Sequence, residues 1–217
     1  MTEPAFDPTC RACPRLATFL DDVRERYPDY HCAPVAPFGP EKAPLLIVGL
    51  APGLHGANAT GRPFTGDHAG IILYDTMHRY GFASQPDSEH ANDGMRLIDC
   101  RLTNAVKCLP PQNKPVGAEV NTCNTFLARE LQNLPRPGLV LALGGIAHKA
   151  VLKALGCKQS AHPFGHHVVA EPVAQLTLLS SYHCSRYNTQ TKRLTGDMFD
   201  AVFADLRARL VALASAS

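Results

Sequence analysis

Short apolar runs separated by helical stretches constrain what this chain can fold into more than any other feature. "PLLIVGL" (Pro44 to Leu50) is apolar on both faces, as a strand covered from two sides must be. "LIDCRLTNAV" (Leu97 to Val106) contains a second strand, "GLVLALG" (Gly138 to Gly144) is a third, and "QLTLLSSYH" (Gln175 to His183) a fourth. Helical patterns fill the intervals. "ATFLDDVRERY" (Ala17 to Tyr27) is one, and Leu73, Met77 and Tyr80 form the stripe of a second. A helix is expected over Val116 to Asn133, and "GIAHKAVLKALG" forms another that Gly156 ends. The last starts near Thr195, a good N-cap, and buries Phe199, Val202, Phe203, Leu206 and Leu210. Strand–helix alternation predicts an α/β fold: a single-domain α/β/α sandwich with a central, mainly parallel four-stranded sheet. In such sheets ligands bind where loops leave the carboxyl ends of strands. The loops from Gly49, Asn104 and Ser180 onward are therefore expected to converge.

The first of these loops, "GLAPGLHGANATGRPFTGDHAG", is glycine-rich yet holds no lysine, and its spacing matches no nucleotide fingerprint. Its glycines let the backbone approach a ligand closely. Phe64 has no evident core partner in so polar a setting, and its ring is suited to stacking on a planar base. Asp67 precedes a helix that begins near His68, where an aspartate also serves as an N-cap. The third loop, "SSYHCSRYNTQTKRLTG", carries Arg186, Lys192 and Arg193 and no acid, interleaved with Tyr187, Asn188 and Gln190. That mixture suits a DNA groove.

At 217 residues the chain is long enough for one domain with a real core. No stretch approaches the ~20 apolar residues of a membrane span, and "MTEPAFDPTC" has neither the basic nor the apolar part of a secretory leader. A cytoplasmic protein is expected. The net charge of +2 neither announces nor excludes a nucleic-acid partner. Eight cysteines are many for that compartment, and a metal centre explains them better than disulfides. Cys10 and Cys13 form C-x2-C, and Cys108 and Cys123 form C-x14-C. Four thiolates from two distant pairs suit either zinc or an iron–sulfur cluster, in a structural role that ties the N-terminal arm to the middle of the chain. Cys32, Cys100, Cys157 and Cys184 are expected in core or loop positions.

Taken together, "GLAPGLHGANATGRPFTGD", "TNAVKCLPPQNKP", "SAHPFGHH", "SYHCSRYNTQTKRLT" and the C-x2-C-P start resemble the uracil-DNA glycosylase superfamily, most closely its family 5, the iron–sulfur b-type enzymes of bacteria and archaea. The resemblance runs in order along nearly all of residues 1–217. It implies one glycosylase-like domain and a 4Fe–4S cluster on Cys10, Cys13, Cys108 and Cys123. It also implies hydrolysis of the N-glycosidic bond of uracil, and of hypoxanthine, in DNA.

By that resemblance the first loop receives a base flipped out of the duplex, with Gly49, Ala51, Gly53 and Phe64 around it; His55, in "GLHGAN", is expected to touch the base or the phosphate. Asp67 corresponds to the acid that positions water and stabilises the sugar cation. His183 corresponds to the donor to the base O2, and Asn113 matches a catalytic or base-contacting asparagine. The catalytic carboxylate of better-known relatives falls where Leu50 and Ala51 are apolar here, which moves the acid role to Asp67. Asn104 stands where a-type relatives read the uracil edge and is expected to sharpen preference for uracil. Arg186, Tyr187, Asn188, Gln190, Lys192 and Arg193 would follow the minor groove. No lysine is placed to form an imine, so hydrolysis without strand cleavage is expected, by a monomer acting on DNA. The competing expectation is a non-catalytic iron–sulfur protein that binds DNA or transfers electrons.

Overall fold

The computed structural model describes residues 6–215. The start of the segment in which no leader is expected lies outside them. Five strands form one sheet: β1 (Leu45–Gly49), β2 (Cys100–Asn104), β3 (Gly138–Leu143), β4 (Val168–Val173) and β5 (Leu176–Ser181), in the order β2-β1-β3-β5-β4. The pairings β1–β2, β1–β3 and β3–β5 are parallel, with Gly49 opposite Asn104 and Leu143 opposite Ser181.

The sheet has one strand more than the four the apolar pattern predicts. β4 pairs antiparallel with β5 at the edge, across the two-residue turn Ala174–Gln175. Its sequence, VVAEPV, buries nothing fully. Pro172 falls where the register shifts between Ala170 and Val173, a place only an edge strand tolerates. Without a buried face it leaves no hydropathy signal, and its turn lacks the Asn-Gly or Asp-Gly signature of a hairpin.

Helices cover both faces. α3 (His68–Arg79) and α7 (Gly196–Ser215) lie on one; α4 (Gly117–Asn133) and α5 (Gly145–Ala154) lie on the other. Alternation along β1 divides the core: Leu45 and Ile47 join Leu73, Met77, Phe199 and Phe203, while Leu46 and Val48 join Leu127, Leu131, Ala147 and Val151. Each such fully buried aliphatic or aromatic side chain contributes about 1.5–3 kcal/mol of transfer free energy. α1 (Pro14–Arg26) begins at Pro14 with Cys13 as its N-cap, earlier than its apolar stripe indicates, because proline is compatible with a first helical position. It packs Leu20 and Val23 against Leu109, Cys32 and Leu54. Two short helices that sequence periodicity is too brief to reveal, α2 (Ala57–Thr60) and α6 (Arg186–Gln190), interrupt the first and third loops. Among the described residues no helix is long and apolar enough to cross a membrane.

One buried ion pair holds the first loop in place. The Arg62 guanidinium is 5% and the Asp93 carboxylate 9% exposed. Arg62 donates to Asp93 Oδ1 at 2.8 Å, to Ser88 Oγ at 2.8 Å and, through Nε, to Thr65 Oγ1 at 2.8 Å, and it lies 5.0 Å over the Phe38 ring. Burial alone would raise the Asp93 carboxyl, but Arg62 and the Met95 N–H outweigh it and hold it below the usual range. Asp93→Ala strands a buried cation and is expected to lower unfolding free energy by about 3–5 kcal/mol in urea titrations. Arg62→Met together with Asp93→Leu is expected to cost less than the two single changes added.

Candidate active site

The four parallel strands end on the same side, and their loops surround one cavity of about 950 Å³. From the β1 loop come Ala51, Gly53, His55 and Asp67; from the loop after β2, Asn113; from the loop after β5, His183, Arg186 and Tyr187. The predicted convergence of three loops is therefore observed, and a fourth wall joins them. Gly144, Gly145, Ile146 and Ala147, between β3 and α5, also line the cavity. The Gly-Gly pair directly after an apolar strand was the available signal for it. Gly144 sits at φ +96°, and a Cβ there would lie 3.4 Å from the Cβ of His183.

Phe64 does have core partners. It is 5% exposed, belongs to the same core cluster as Leu45, Leu73 and Cys184, and stacks near His183 with ring centroids 6.1 Å apart at 29°. Its φ of +55° is strained for a side-chain-bearing residue, and the Arg62 brace on Thr65 holds the adjoining turn. Gln112 and Asn113, which line the cavity, are strained in the same way at φ +55° and +56°. Glycine is required where backbone meets side chain. A Cβ on Gly49 would fall 2.4 Å from both Phe64 Cζ and Asn104 Oδ1, and one on Gly56 would fall 2.6 Å from Asp67 Oδ2. Gly49 and the buried Asn104 thus lie beside Phe64, behind the cavity wall that Ala51 and Gly53 form.

Asp67 is the N-cap of α3, its Oδ1 accepting from the Gly70 N–H at 2.8 Å. It is also a cavity residue, so capping and site placement coincide. Burial pushes its carboxyl up, while the Gly70 and Ala69 N–H groups and His68 pull it back. The His183 ring is driven down to about 4 by burial, and its Nδ1 is buried with no hydrogen-bond partner. A neutral imidazole with an uncommitted nitrogen is a donor or acceptor, not a cation, at pH 7.

The rest of the third loop divides. Arg186 and Tyr187 face the cavity, Tyr187 being 70% exposed. Asn188 turns inward and donates through Nδ2 to the His183 carbonyl at 2.8 Å. Arg193 stacks 4.6 Å over Tyr182. Gln190 ends α6 and Lys192 follows it at φ +56°, both exposed and neither on the cavity. His68, which sequence reasoning did not single out, lines the cavity and ties α3 to α6 through Thr189 Oγ1 at 3.1 Å.

Cys10, Cys13, Cys108 and Cys123 line a separate, mostly apolar cavity of about 290 Å³ with Leu16, Val106 and Phe126. Burial raises the Cys108 thiol to about 12, with Cys123, Cys10 and Cys13 adding to the shift, so the four sulfurs share one electrostatic site. The Lys107 N–H donates to Cys123 Sγ at 3.3 Å. Among the described residues no three acidic, histidine or cysteine side chains close in on a single ion. One tetrahedral zinc would need all four sulfurs about 2.3 Å from a common point. Four cysteine sulfurs around one hollow are a donor set that suits either zinc or an iron–sulfur group.

The pH behaviour of His183 follows from its burial. Its folded ring is expected to take a proton near pH 4, against 6.5 when unperturbed, as read from histidine ring NMR shifts. The unfolded chain binds that proton first, so this ring's share of stability is complete above about pH 6.5 and declines as pH falls from there towards 4.

The family model described as the uracil DNA glycosylase superfamily matches residues 36–207. A type-5 uracil-DNA glycosylase of Thermus thermophilus is 44% identical over 203 residues, 91% of this chain and 92% of its own length. A type-5 uracil-DNA glycosylase of Pyrobaculum aerophilum is 40% identical over 190 residues, 86% of this chain and 82% of its own. A type-4 uracil-DNA glycosylase of Archaeoglobus fulgidus is 36% identical over 110 residues, half of this chain and 47% of its own. With the extent of these matches and the cavity at the strand ends, the chain belongs to the uracil-DNA glycosylase superfamily, in its type-5 branch.

Proposed function

We propose that this chain is a monofunctional uracil-DNA glycosylase that hydrolyses the N-glycosidic bond of uracil and other deaminated bases, hypoxanthine among them, and leaves an abasic site in DNA. The observation that carries the reading is the meeting, at one end of the sheet, of the Phe64 ring and the Asp67 carboxyl on the β1 loop with the neutral His183 imidazole on the loop after β5.

Breaking the bond puts positive charge on the sugar and negative charge on the base. The Asp67 carboxylate stabilises the first and orients the attacking water. His183 donates to the base oxygen where the second builds. Phe64 stacks on the base, and Asn113 contacts it or the water from the facing wall. Preorganised groups of this kind need no reorganisation in the transition state, and their partial desolvation strengthens them. Asn104, whose Oδ1 lies beside the tip of the Phe64 ring across Gly49, sharpens the preference for uracil. Arg186 and Tyr187 hold the distorted strand, with Lys192 and Arg193 supplying charge further along. Extrusion of the nucleotide costs a few kcal/mol, which stacking and these contacts offset.

Cys10, Cys13, Cys108 and Cys123 would hold a 4Fe–4S cluster as thiolates. When bound, the cluster supplies a crosslink between the N-terminal arm and α4, making one unit of the chain. Purified protein is expected to carry about four iron atoms. Cys123→Ser is expected to lower the iron content and the melting temperature together, by elemental analysis and calorimetry.

Duplex DNA containing uracil, incubated with the protein, is expected to break only after alkali treatment. Intact strands after alkali, or a borohydride-trapped covalent complex, would overturn the reading. Asp67→Ala and His183→Ala are each expected to lower the single-turnover rate about 10²–10³-fold. A panel of uracil, hypoxanthine, xanthine and thymine opposite each base measures breadth, and Asn104→Ala is expected to narrow the margin between uracil and hypoxanthine.

A further inference from the structure

We propose that Tyr30 is a positioning residue: it fixes the His55 ring so that its Nε2–H is presented, at the mouth of the base cavity, to a phosphate oxygen of the DNA backbone. The proposal rests on the glycosylase reading, which does not itself involve Tyr30.

His55 lines the cavity and is exposed, whereas Phe64 lies buried and the Nδ1 of His183 is inaccessible. A base seated against Phe64 and His183 leaves its sugar–phosphate at the rim, where His55 stands. Tyr30 Oη and His55 Nδ1 are 2.9 Å apart. A phenol is the stronger donor of the two groups, so its O–H points at Nδ1, and the imidazole proton is left on Nε2. Nε2 is then the only uncommitted polar atom of the ring, and it is a donor.

The holder is packed and hydrogen-bonded on several sides. The Tyr30 and Tyr27 rings stack at 4.7 Å and 14°, and both meet the His55 imidazole edge-on, at 6.0 Å and 88° and at 5.5 Å and 85°. Tyr27 is the C-cap of α1, whose N-cap is the cluster cysteine Cys13. The chain just after Tyr30 is fastened to the same loop that carries His55. The His31 N–H donates to the Ala59 carbonyl at 3.0 Å and the Cys32 N–H to the Asn58 carbonyl at 3.1 Å. Leu54, next to His55, packs with Leu20, Val23, Tyr27 and Tyr30. α1 is thus a strut from the four-cysteine cavity to the wall of the base cavity, and Tyr30 is its contact with the substrate side.

The test uses duplex DNA carrying a 2′-fluoro uracil nucleotide that resists excision. Tyr30→Phe keeps the stacked ring and removes the hydroxyl. It is expected to weaken binding about fivefold, the value of one lost hydrogen bond, while single-turnover excision of ordinary uracil at saturating DNA stays within about twofold of wild type. His55→Ala is expected to weaken binding similarly, and the double variant no further. A methylphosphonate at one of the two phosphates flanking the uracil is expected to abolish the Tyr30→Phe effect. Imidazole ¹⁵N spectra without DNA should show an Nε2–H tautomer in the wild type and a mixture in Tyr30→Phe. Wild-type binding by Tyr30→Phe would overturn the proposal, as would a loss that persists beside His55→Ala or survives both methylphosphonates. A wild-type protein that leaves uracil in place would overturn the glycosylase reading instead, while the spectra still decide the tautomer.

Discussion

Parallel pairing of β1 with β2 on one side and β3 on the other is the constraint on which the rest depends. Because β1 is buried on both faces, each neighbour must return to its starting edge through a helix, and every strand of the parallel set ends on the same side. Four loop origins are brought together by topology alone. The Gly49–Asn104 register then sets how closely the first two can approach, and Phe64 fills the space that a side chain on residue 49 would have taken.

Burial sets the electrostatics of the cavity. The same desolvation that keeps the His183 ring neutral raises the Asp67 carboxyl, and the Gly70 N–H at the start of α3 offsets part of that rise. The two groups are therefore driven towards their neutral forms by one cause and distinguished by hydrogen bonding: Asp67 has backbone donors, and His183 Nδ1 has none. Asp67 shows how a local requirement and a site requirement can be met by one side chain, since a cap needs an oxygen at the helix start and a parallel α/β sheet opens its cavity at that same end.

Among the described residues the N-terminal arm contributes no strand to the sheet, yet it reaches both cavities. Its helix starts at the four-cysteine hollow and ends at the tyrosine pair beside His55. Buried contacts from Leu20 and Val23 to Leu54 and Leu109 join it to loops after β1 and β2. The four-cysteine hollow is therefore connected to the cavity at the strand ends by a continuous packed element.

Apolar periodicity reveals β1, β3, β5 and the four long helices packed on the sheet because each buries a continuous face, and the boundaries fall within a few residues of the pattern. It is silent on β4, whose residues stay partly exposed, and on α2 and α6, which are shorter than two turns. The motifs name Asp67, His183, Asn113 and the four cysteines, since their spacing is local to each loop. Sequence alone does not show that Phe64 turns into the core at a left-handed φ, that Arg62 and Asp93 brace its loop from 31 residues apart, or that Gly144–Ala147 closes a fourth wall. By itself the sequence determined the layered α/β class and the set of chemical groups, because hydrophobic burial and residue type act within single segments. Which groups face one another, which lose their water and which are held by distant partners was decided only by tertiary packing, because those properties belong to pairs of segments and not to either one.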